Sequence, residues 1–472
     1  MVTRLSSADA AFFRLERSTT PMYLGSLSIL RRPRGGLSHE ALLTTIEQRL
    51  PQIPRYRKKV RGSAIGVGRP VWLDDPDFDI TYHVRRSALP SPGSNEQLYD
   101  LVARLAARPM DATRPLWEMY VVENLAGNRL ALYTKTHQAL INGMRAPEIN
   151  HVIADRTRRP PHFPEDIWVP ERDPGTTRLV LGAIADLITG PGEQVRAALS
   201  TVAELAADPG ELLGKGRRVV HMARALTRGT APASPLNAAV SHNRRFTVAS
   251  ADLDDYRRVR VRYGCAVNDV VIAVIAGALG NWLMSRGHAL PPTRTVRAMI
   301  PLPVHADGDL DQSGPGQTIA QVVPFLVTLP IGERNARVRI SQIAHMTEAL
   351  PGAAGLVDAR TIVALSGFAP PTLHGMGIRV ATSYPSLSKR AFNLLITNAP
   401  GTQSQMYVAG AKLLESYAVP PLLRGQALSI GVTSYNGRVY FGINADRDAM
   451  SDVDLLPGLL GEALEELLDA SR

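Results

Sequence analysis

The chain has 472 residues, 45% of them hydrophobic, which is more than the roughly 250–300 residues that one hydrophobic core usually serves, so we expect two domains. Its 53 basic residues against 43 acidic ones give a net charge of +10, which is compatible with nucleic acid, an anionic membrane surface or an anionic cofactor and does not choose among them. The single cysteine, Cys265, excludes an intrachain disulfide and a cysteine-based zinc or iron–sulfur site.

Residues 1–170 alternate helical and strand-like stretches, which indicates a mixed α/β domain. Helical periodicity covers residues 40–50 and 96–107, and strand-like runs occur at "MYLGSLSIL" and "RLALYTKT". The opening "MVTRLSSADAAFFRLER" is interrupted by charged residues and lacks the apolar stretch of a signal peptide. We therefore expect no export signal in this part of the chain.

Residues 171–240 differ in composition from the preceding residues and are predicted to form a crossing linker with a basic helical segment. Breaks at "PERDPGTTR" and "TGPG" precede a stretch that carries Arg217, Arg218, Arg224 and Arg228. An interfacial helix at a lipid surface is one interpretation, and a solvated helix face beside a linker is the other. Nucleic-acid binding is disfavoured because the basic residues are not interleaved with aromatic residues that could stack on bases.

Residues 241–472 are predicted to form the second α/β domain. A helix at 253–263 leads to a buried helix over the apolar run 270–280, which is shorter than the roughly 18 residues that span a bilayer. Strands follow at "TVRAMIPLPV", "QVVPFLVTLP", "FNLLITNAP" and "QALSIGVTSYNGRVYFGIN", and the step Tyr435-Asn436-Gly437 predicts a hairpin turn in the last of them. A helix over residues 455–468 closes the chain.

Several common kinds of site are missing from the sequence. It contains no Walker-type phosphate loop, no three-glycine dinucleotide fingerprint and no G-x-S-x-G element. The 11 histidines are scattered, and none has the helical spacing with glutamate that a zinc site uses. We therefore predict neither a metal nor a bound nucleotide cofactor.

The stretch "YTKTHQALINGMRAPEI" is the best candidate for chemistry. It is predicted to run from a strand through a tight loop with a turn at Asn142-Gly143 into a helix that begins near Pro147. Such a loop commonly presents a side chain to a cleft. On composition alone, however, a single histidine at a strand end, here His137, is more often a hydrogen-bonded structural residue than a catalytic one.

This loop resembles the H-H-x-x-x-D-G motif of the bacterial wax ester synthase/diacylglycerol acyltransferase family. The overall sequence pattern is most similar to that of mycobacterial members. The likeness extends along the chain through a series of short blocks. These are "LSSADAAFFRLE", "PMYLGSLSIL", "VWLDDPDFDITYHVR", "RPLWEMYVVENL", "SPLNAAVSHNRRF", "VNDVVIAVIAGAL", "ITNAPG" and "SYNGRVYFGINAD".

The resemblance implies two similar chloramphenicol-acetyltransferase-like α/β domains with a cleft or channel between them. There an acyl-CoA co-substrate would meet a lipid alcohol, diacylglycerol or a fatty alcohol, and no bound cofactor or metal would be needed. It also implies a cytoplasmic protein, with peripheral attachment to the inner membrane or to lipid droplets as an open alternative. In the family the second histidine is the general base, the first is supportive, and the aspartate orients the loop.

Position by position, the chain departs from this motif. The first histidine is His137, but the general-base position is Gln138 and the structural aspartate position is Asn142, while Gly143 is retained. A carboxamide has no useful basicity near neutral pH, whereas an imidazole titrates near 6.5. We therefore expect that Gln138 cannot be the base, while Asn142 can still form the turn.

Two further blocks are candidates for lining the substrate channel. Pro115, Leu116 and Trp117 match the family's P-L-W block, although a core or hinge role fits a tryptophan beside a strand equally well. Asn268 and Asp269 are the second candidate, with helix N-capping as the alternative.

Two functions remain open at this point. The first is an O-acyltransferase that makes triacylglycerol or wax ester, with His137 or an activated water taking over part of the base role. The second is a catalytically impaired paralogue that binds acyl-CoA or lipid, or that acts as a scaffold for an active relative.

Overall fold

The computed structural model describes residues 3–5, 9–10, 12–13, 16–62, 70–141, 149–159, 161, 163, 166–175, 231–304, 321–348, 392–399 and 401–471. The basic segment around Arg217 to Arg228 lies outside these residues, as do Asn142 and Gly143.

The principal elements of the first half of the chain, within the described residues, are eight strands and four α-helices, and short 3-10 helices cover Leu50–Gln52 and Pro54–Arg57. The strands are β1 (Thr3–Arg4), β2 (Tyr23–Arg31), β3 (Lys58–Arg61), β4 (Val71–Asp74), β5 (Val84–Ala88), β6 (Trp117–Leu125), β7 (Arg129–His137) and β8 (Ala154–Asp155). The helices are α1 (His39–Glu47), α2 (Ile80–His83), α3 (Asn95–Ala107) and α4 (Ile149–Val152). Helix α3 begins with a capping box, in which the side chains of Ser94 and Gln97 bond to each other's backbone N–H groups.

The second half forms eight more strands and four helices in its described part. The strands are β9 (Arg244–Asp252), β10 (Val296–Val304), β11 (Gln321–Leu329), β12 (Leu394–Ala399), β13 (Tyr407–Val408), β14 (Ala411–Val419), β15 (Leu428–Tyr435) and β16 (Arg438–Asp446). The helices are α5 (Leu253–Tyr263), α6 (Val267–Ser285), α7 (Ala336–Glu348) and α8 (Leu456–Ala470).

Two large sheets organise these elements, and each has its own hydrophobic core. The first has seven strands in the order β5-β6-β7-β2-β14-β13-β8, and the second has six in the order β11-β10-β12-β15-β16-β9. A small sheet, β1-β4-β3, lies beside the first. The expected mixed α/β architecture with two domains is thereby confirmed.

Strand β14 joins the two halves. It pairs antiparallel with β2, so that a segment from the second half completes the sheet that carries the motif strand β7. The predicted domain limits of 1–170, 171–240 and 241–472 stay a prediction, and the first core contains residues on both sides of them.

The two sheets approach each other closely where β14 crosses the second one. Gly431 and Gly442 are direct partners in the β15–β16 ladder, and both lie under Ala418 of β14. A Cβ atom on Gly442 would come within 1.8 Å of the Ala418 carbonyl oxygen. The absence of side chains at these two positions therefore allows the backbones to touch.

Helix α6 is the central helix of the second core and is longer than the apolar run 270–280 suggested. Its 19 residues are enough, by length and composition alone, to cross a membrane, but 78% of its most apolar window is buried inside the protein. It packs against α5, α7 and α8. It is therefore a core helix, as its apolar run predicted.

Candidate active site

The motif strand β7 ends at His137 and is paired with β6 on one side and with β2 on the other. The His137 backbone N–H donates to the Leu116 carbonyl at 3.0 Å, and His137 is the ladder partner of Tyr23 on β2. The imidazole is 1% exposed and stacks on Phe13, with ring centroids 4.4 Å apart. His137 is therefore an inward-facing residue of the first core.

The one hydrogen bond recorded for the imidazole among the described residues defines its tautomer. Nδ1 accepts the backbone N–H of Ala139 at 3.1 Å, so its lone pair is occupied. When the ring is neutral the proton must then be on Nε2, which has no hydrogen-bond partner among the described residues and faces the Glu16 Oε2 atom at 3.7 Å. A ring in this state has no free lone pair with which to accept a proton from a substrate.

Gln138 lies in a different environment from His137. It is half-buried, its backbone N–H donates to the Met22 carbonyl at 3.0 Å, and the turn continues with a bond from the Leu140 N–H to the His137 carbonyl at 2.9 Å. Asn142 and Gly143, which complete the motif, lie outside the described residues. The catalytic roles assigned to these four positions stay a prediction.

A buried ion pair lies two residues before His137. Lys135, which is 0% exposed, places Nζ 3.1 Å from Oε2 of Glu118 and donates to the carbonyls of Leu105 and Arg108 at the end of α3. Burial lowers the pKa of Lys135, and the adjacent carboxylate opposes that change. This pair was not predicted from the sequence, although a lysine and a glutamate inside strand patterns that are otherwise apolar are a usable signal for it.

The P-L-W block lies beside the motif strand, but its tryptophan side chain points away from His137. Trp117 pairs with Thr136, and since neighbouring side chains alternate between the faces of a sheet, the Trp117 and His137 rings lie on opposite faces. Trp117 is 0% exposed, and its Nε1 donates to the Tyr56 carbonyl at 2.8 Å. These contacts favour the core role for Trp117 over the channel role.

Trp117 also stacks on a buried histidine. The rings of Trp117 and His83 have centroids 4.6 Å apart and are almost parallel, and Phe78 also stacks on the His83 ring, with centroids 5.2 Å apart. His83 Nδ1 donates to the Trp117 carbonyl at 2.8 Å. Burial lowers the pKa of His83 to about 4, so the ring is neutral at physiological pH.

The pair Asn268 and Asp269 lies in the first turn of α6. Helix α6 has Ala266 at its N-cap, so neither residue occupies the predicted N-cap position. Asp269 nevertheless supplies the capping interaction, since its carboxylate accepts the Ala266 N–H at 2.8 Å as well as the Thr347 hydroxyl at 2.7 Å. Asn268 accepts the side-chain N–H of Asn398 at 2.5 Å. The predicted channel role of both residues is untested by these contacts.

The two described cavities lie in the second half of the chain. A surface groove of about 680 Å³ runs between α5 and α8, and a smaller cavity of about 190 Å³ lies between α6 and the segment before α7. Neither is lined by residues of the motif strand. Within the described ranges, no group of three or more His, Cys, Asp or Glu residues could hold a metal ion.

Two family models match the chain, and together they cover most of it. The wax ester synthase/diacylglycerol acyltransferase catalytic domain matches residues 5–271, and the WS/DGAT C-terminal domain matches residues 321–468. The two models are the catalytic and C-terminal domains of one family, and together they match both halves of the chain.

Mycobacterial proteins are among the similar sequences. The probable diacylglycerol O-acyltransferase tgs3 of Mycobacterium tuberculosis H37Rv is 69% identical over 265 residues, which are 56% of this chain and 98% of that protein. The putative diacylglycerol O-acyltransferase MT3848 of M. tuberculosis CDC 1551 is 32% identical over 98% of this chain and 99% of its own. The tgs1 protein of strain H37Rv is 28% identical over 100% of this chain and 97% of its own.

Solved structures share the fold. The wax ester synthase/diacylglycerol acyltransferase of Marinobacter aquaeolei VT8 superimposes with a TM-score of 0.69 at 24% identity, covering 99% of this chain and 100% of that one. The first condensation domain of the CDA synthetase gives a TM-score of 0.54 at 13% identity, covering 100% of this chain and 97% of that one. At these identities the likeness establishes the fold alone.

Proposed function

Because the chain belongs to the wax ester synthase/diacylglycerol acyltransferase family, we propose that it transfers an acyl group from acyl-CoA to the hydroxyl of diacylglycerol or a fatty alcohol. The products would be triacylglycerol or wax ester. The observation that carries the proposal is the match of both family models, over residues 5–271 and 321–468, which includes the motif strand and five of the six strands of the second sheet. The proposed reaction needs a thioester, an alcohol and a proton acceptor, and no resident cofactor.

From the residues around the motif we infer that this transfer would be slow. The attacking hydroxyl must lose its proton as its oxygen bonds to the thioester carbonyl and the CoA thiolate leaves. Gln138 offers an amide that cannot take that proton, and the buried His137 has its Nδ1 lone pair committed to Ala139. Loss of a general base commonly costs about 10²–10⁴ in rate, whereas holding both substrates in register preserves part of the acceleration.

In this proposal His137 is a positioning residue and not the replacement base. Its burial, its stack on Phe13 and its bond to Ala139 support a role in shaping the turn. The proton of the attacking hydroxyl then passes to a solvent water molecule, which is a weak acceptor and makes the reaction slow.

A second candidate function is favoured by one specific observation, the neutral amides at positions 138 and 142. A chain that keeps the family's framework but lacks both titrating groups suits a catalytically impaired paralogue. Such a protein would bind acyl-CoA or lipid, or would act as a scaffold for an active relative.

We also propose that the protein works in the cytoplasm and touches a lipid surface peripherally, at the inner membrane or at lipid droplets. Diacylglycerols and fatty alcohols partition into lipid because of their long apolar chains, so an enzyme that uses them must reach that phase. The net charge of +10 suits an anionic surface.

The experiment compares three proteins for ester formation from radiolabelled palmitoyl-CoA with diacylglycerol or hexadecanol. They are the unaltered chain, the variant Gln138→His/Asn142→Asp, and the control Gln52→His, which adds a histidine at an exposed position on another segment. Product from the unaltered chain supports the acyltransferase. Product from the double variant alone supports the impaired paralogue, and no product from any of them contradicts the acyltransferase assignment.

A further inference from the structure

Glu16 is connected to the motif turn by two separate routes. It lies just after the N-terminal arm and is partly buried, with 25% of its side chain exposed. One carboxylate oxygen faces the His137 ring, and the other accepts the backbone N–H of Met22, the residue just before β2, which pairs with β7.

The first route passes through the imidazole. Glu16 Oε2 lies 3.7 Å from Nε2 of His137, and Nδ1 of the same ring accepts the Ala139 N–H at 3.1 Å. A buried ring N–H without a hydrogen-bond partner is unfavourable, and a facing carboxylate stabilises the ring orientation that directs Nε2 towards it. That orientation is the one in which Nδ1 can hold Ala139.

The second route passes through a single peptide unit. Glu16 Oε1 accepts the Met22 N–H at 3.3 Å, and the Met22 carbonyl accepts the Gln138 N–H at 3.0 Å. The two routes therefore reach the backbone of consecutive motif residues, Gln138 and Ala139, from one carboxylate. They restrain the direction in which the half-buried Gln138 side chain leaves the strand.

The charged and titratable neighbours of the His137 ring are consistent with this role. Tyr23 lies edge-on to the ring at 6.0 Å, and burial together with Glu16 raises the pKa of Tyr23, so the phenol stays neutral. The Lys135 ammonium lies 5.2 Å from the centroid of the Tyr23 ring and is paired with Glu118. Among the described residues, Glu16 is the carboxylate within ion-pair distance of His137.

We propose that Glu16 is a positioning residue that holds the turn of His137, Gln138 and Ala139 through the imidazole and through the Met22 peptide. The inference rests on the proposed function in one respect, since the turn presents the position at which the family has its base. Whether the Glu16 carboxylate restrains the turn can be measured on the protein without any assay of acyl transfer.

The test uses the full chain with Glu16→Gln, Glu16→Ala and Glu16→Asp, and with Glu47→Gln as the matched control. Glu47 is an exposed residue of α1, so its substitution removes the same charge away from the motif. Amide hydrogen exchange is measured by mass spectrometry on peptides that cover residues 137–141. We expect exchange about tenfold faster in Glu16→Ala, which removes the hydrogen bond to the Met22 N–H, a smaller increase in Glu16→Gln, whose amide oxygen can still accept that N–H but which loses the charge facing the imidazole, and substantial rescue in Glu16→Asp.

A second arm places Glu16→Gln in the Gln138→His/Asn142→Asp background and measures acyl transfer. We expect kcat to fall about tenfold, with KM for palmitoyl-CoA unchanged, since the change misdirects the base and leaves the binding surface intact. Unchanged exchange at residues 137–141 in both Glu16→Gln and Glu16→Ala would overturn the inference whatever the activity. Faster local exchange with no turnover in any background would support the inference and contradict the proposed function.

Discussion

Lys135 and Glu118 face each other across the β6–β7 ladder, with Nζ 3.1 Å from Oε2. Both are buried, and the three donors of the ammonium are directed at the carboxylate and at two carbonyls at the end of α3. The pair thus ties a helix end to the strand that leads into the motif.

We predict that Glu118→Gln lowers the free energy of unfolding by about 3–5 kcal/mol, because it leaves the buried ammonium without its carboxylate. Lys135→Met is also destabilising, and the double variant should lose much less than the two single changes added together. Urea denaturation measures all three. The control is Glu123→Gln, whose partner Arg86 is 59% exposed and whose loss should cost less than about 1 kcal/mol. Additive losses in the double variant would refute the coupling.

The crossing of β14 over the second sheet provides another prediction. Gly442→Ala should destabilise the protein by about 3 kcal/mol or more, because the new Cβ would lie 1.8 Å from the Ala418 carbonyl oxygen and the backbones would have to separate. The matched control is Gly461→Ala in the middle of α8, where no atom lies within 4 Å of the added Cβ. That change should be neutral or stabilising by up to about 1 kcal/mol. Thermal unfolding of both variants decides the matter, and equal stability of the two would show that the crossing tolerates a side chain.

The buried His83 predicts a pH dependence of stability. Its pKa is about 4 in the folded protein against an ordinary value of 6.5, so between these values the unfolded chain binds a proton that the folded one does not. The free energy of unfolding should therefore fall as the pH is lowered from about 6.5 to about 4, by roughly 3 kcal/mol from this residue. His83→Phe keeps a ring between Phe78 and Trp117 and should remove this part of the slope. Denaturation curves at pH 4.5, 5.5 and 7 compare the two, and parallel slopes would contradict the assignment to His83.

Local signals predicted much of the fold. The Asn436-Gly437 step is the turn between β15 and β16, with positive φ angles of 47° and 81° that suit these residues. Helix α5 has the predicted bounds, 253–263, and ends at Gly264 in the left-handed region. In both cases the residues that determine the local structure lie within a few positions of one another in the chain.

Long-range pairing could not be predicted in the same way. Strand β14 carries Lys412 and Glu415 and gave no clear strand pattern, yet it pairs with β2 almost 400 residues earlier in the chain. Helix α7 was also missed. The register that brings β14 beside β2 depends on two sheets packing together, which no local pattern specifies.

The same contrast between local signals and long-range packing applies to the candidate site. The motif, its strand and the replacement of the base by Gln138 were readable from the sequence. The direction of the His137 ring, the opposite face of Trp117 and the two routes from Glu16 depend on register and packing between distant segments. The hydrogen bond from the Ala139 N–H to His137 Nδ1, which bears on any catalytic contribution of His137, could therefore not be predicted from the sequence.

The pH dependence of kcat/KM for palmitoyl-CoA, measured for the unaltered chain and for Gln138→His/Asn142→Asp, tests the central claim most directly. We predict slow turnover by the unaltered chain with no titration near neutrality, and turnover about 10²–10⁴ faster in the double variant with a fall below about pH 6.5. Fast turnover by the unaltered chain, with an acid limb near neutrality, would contradict the claim that no side chain at the motif accepts the proton.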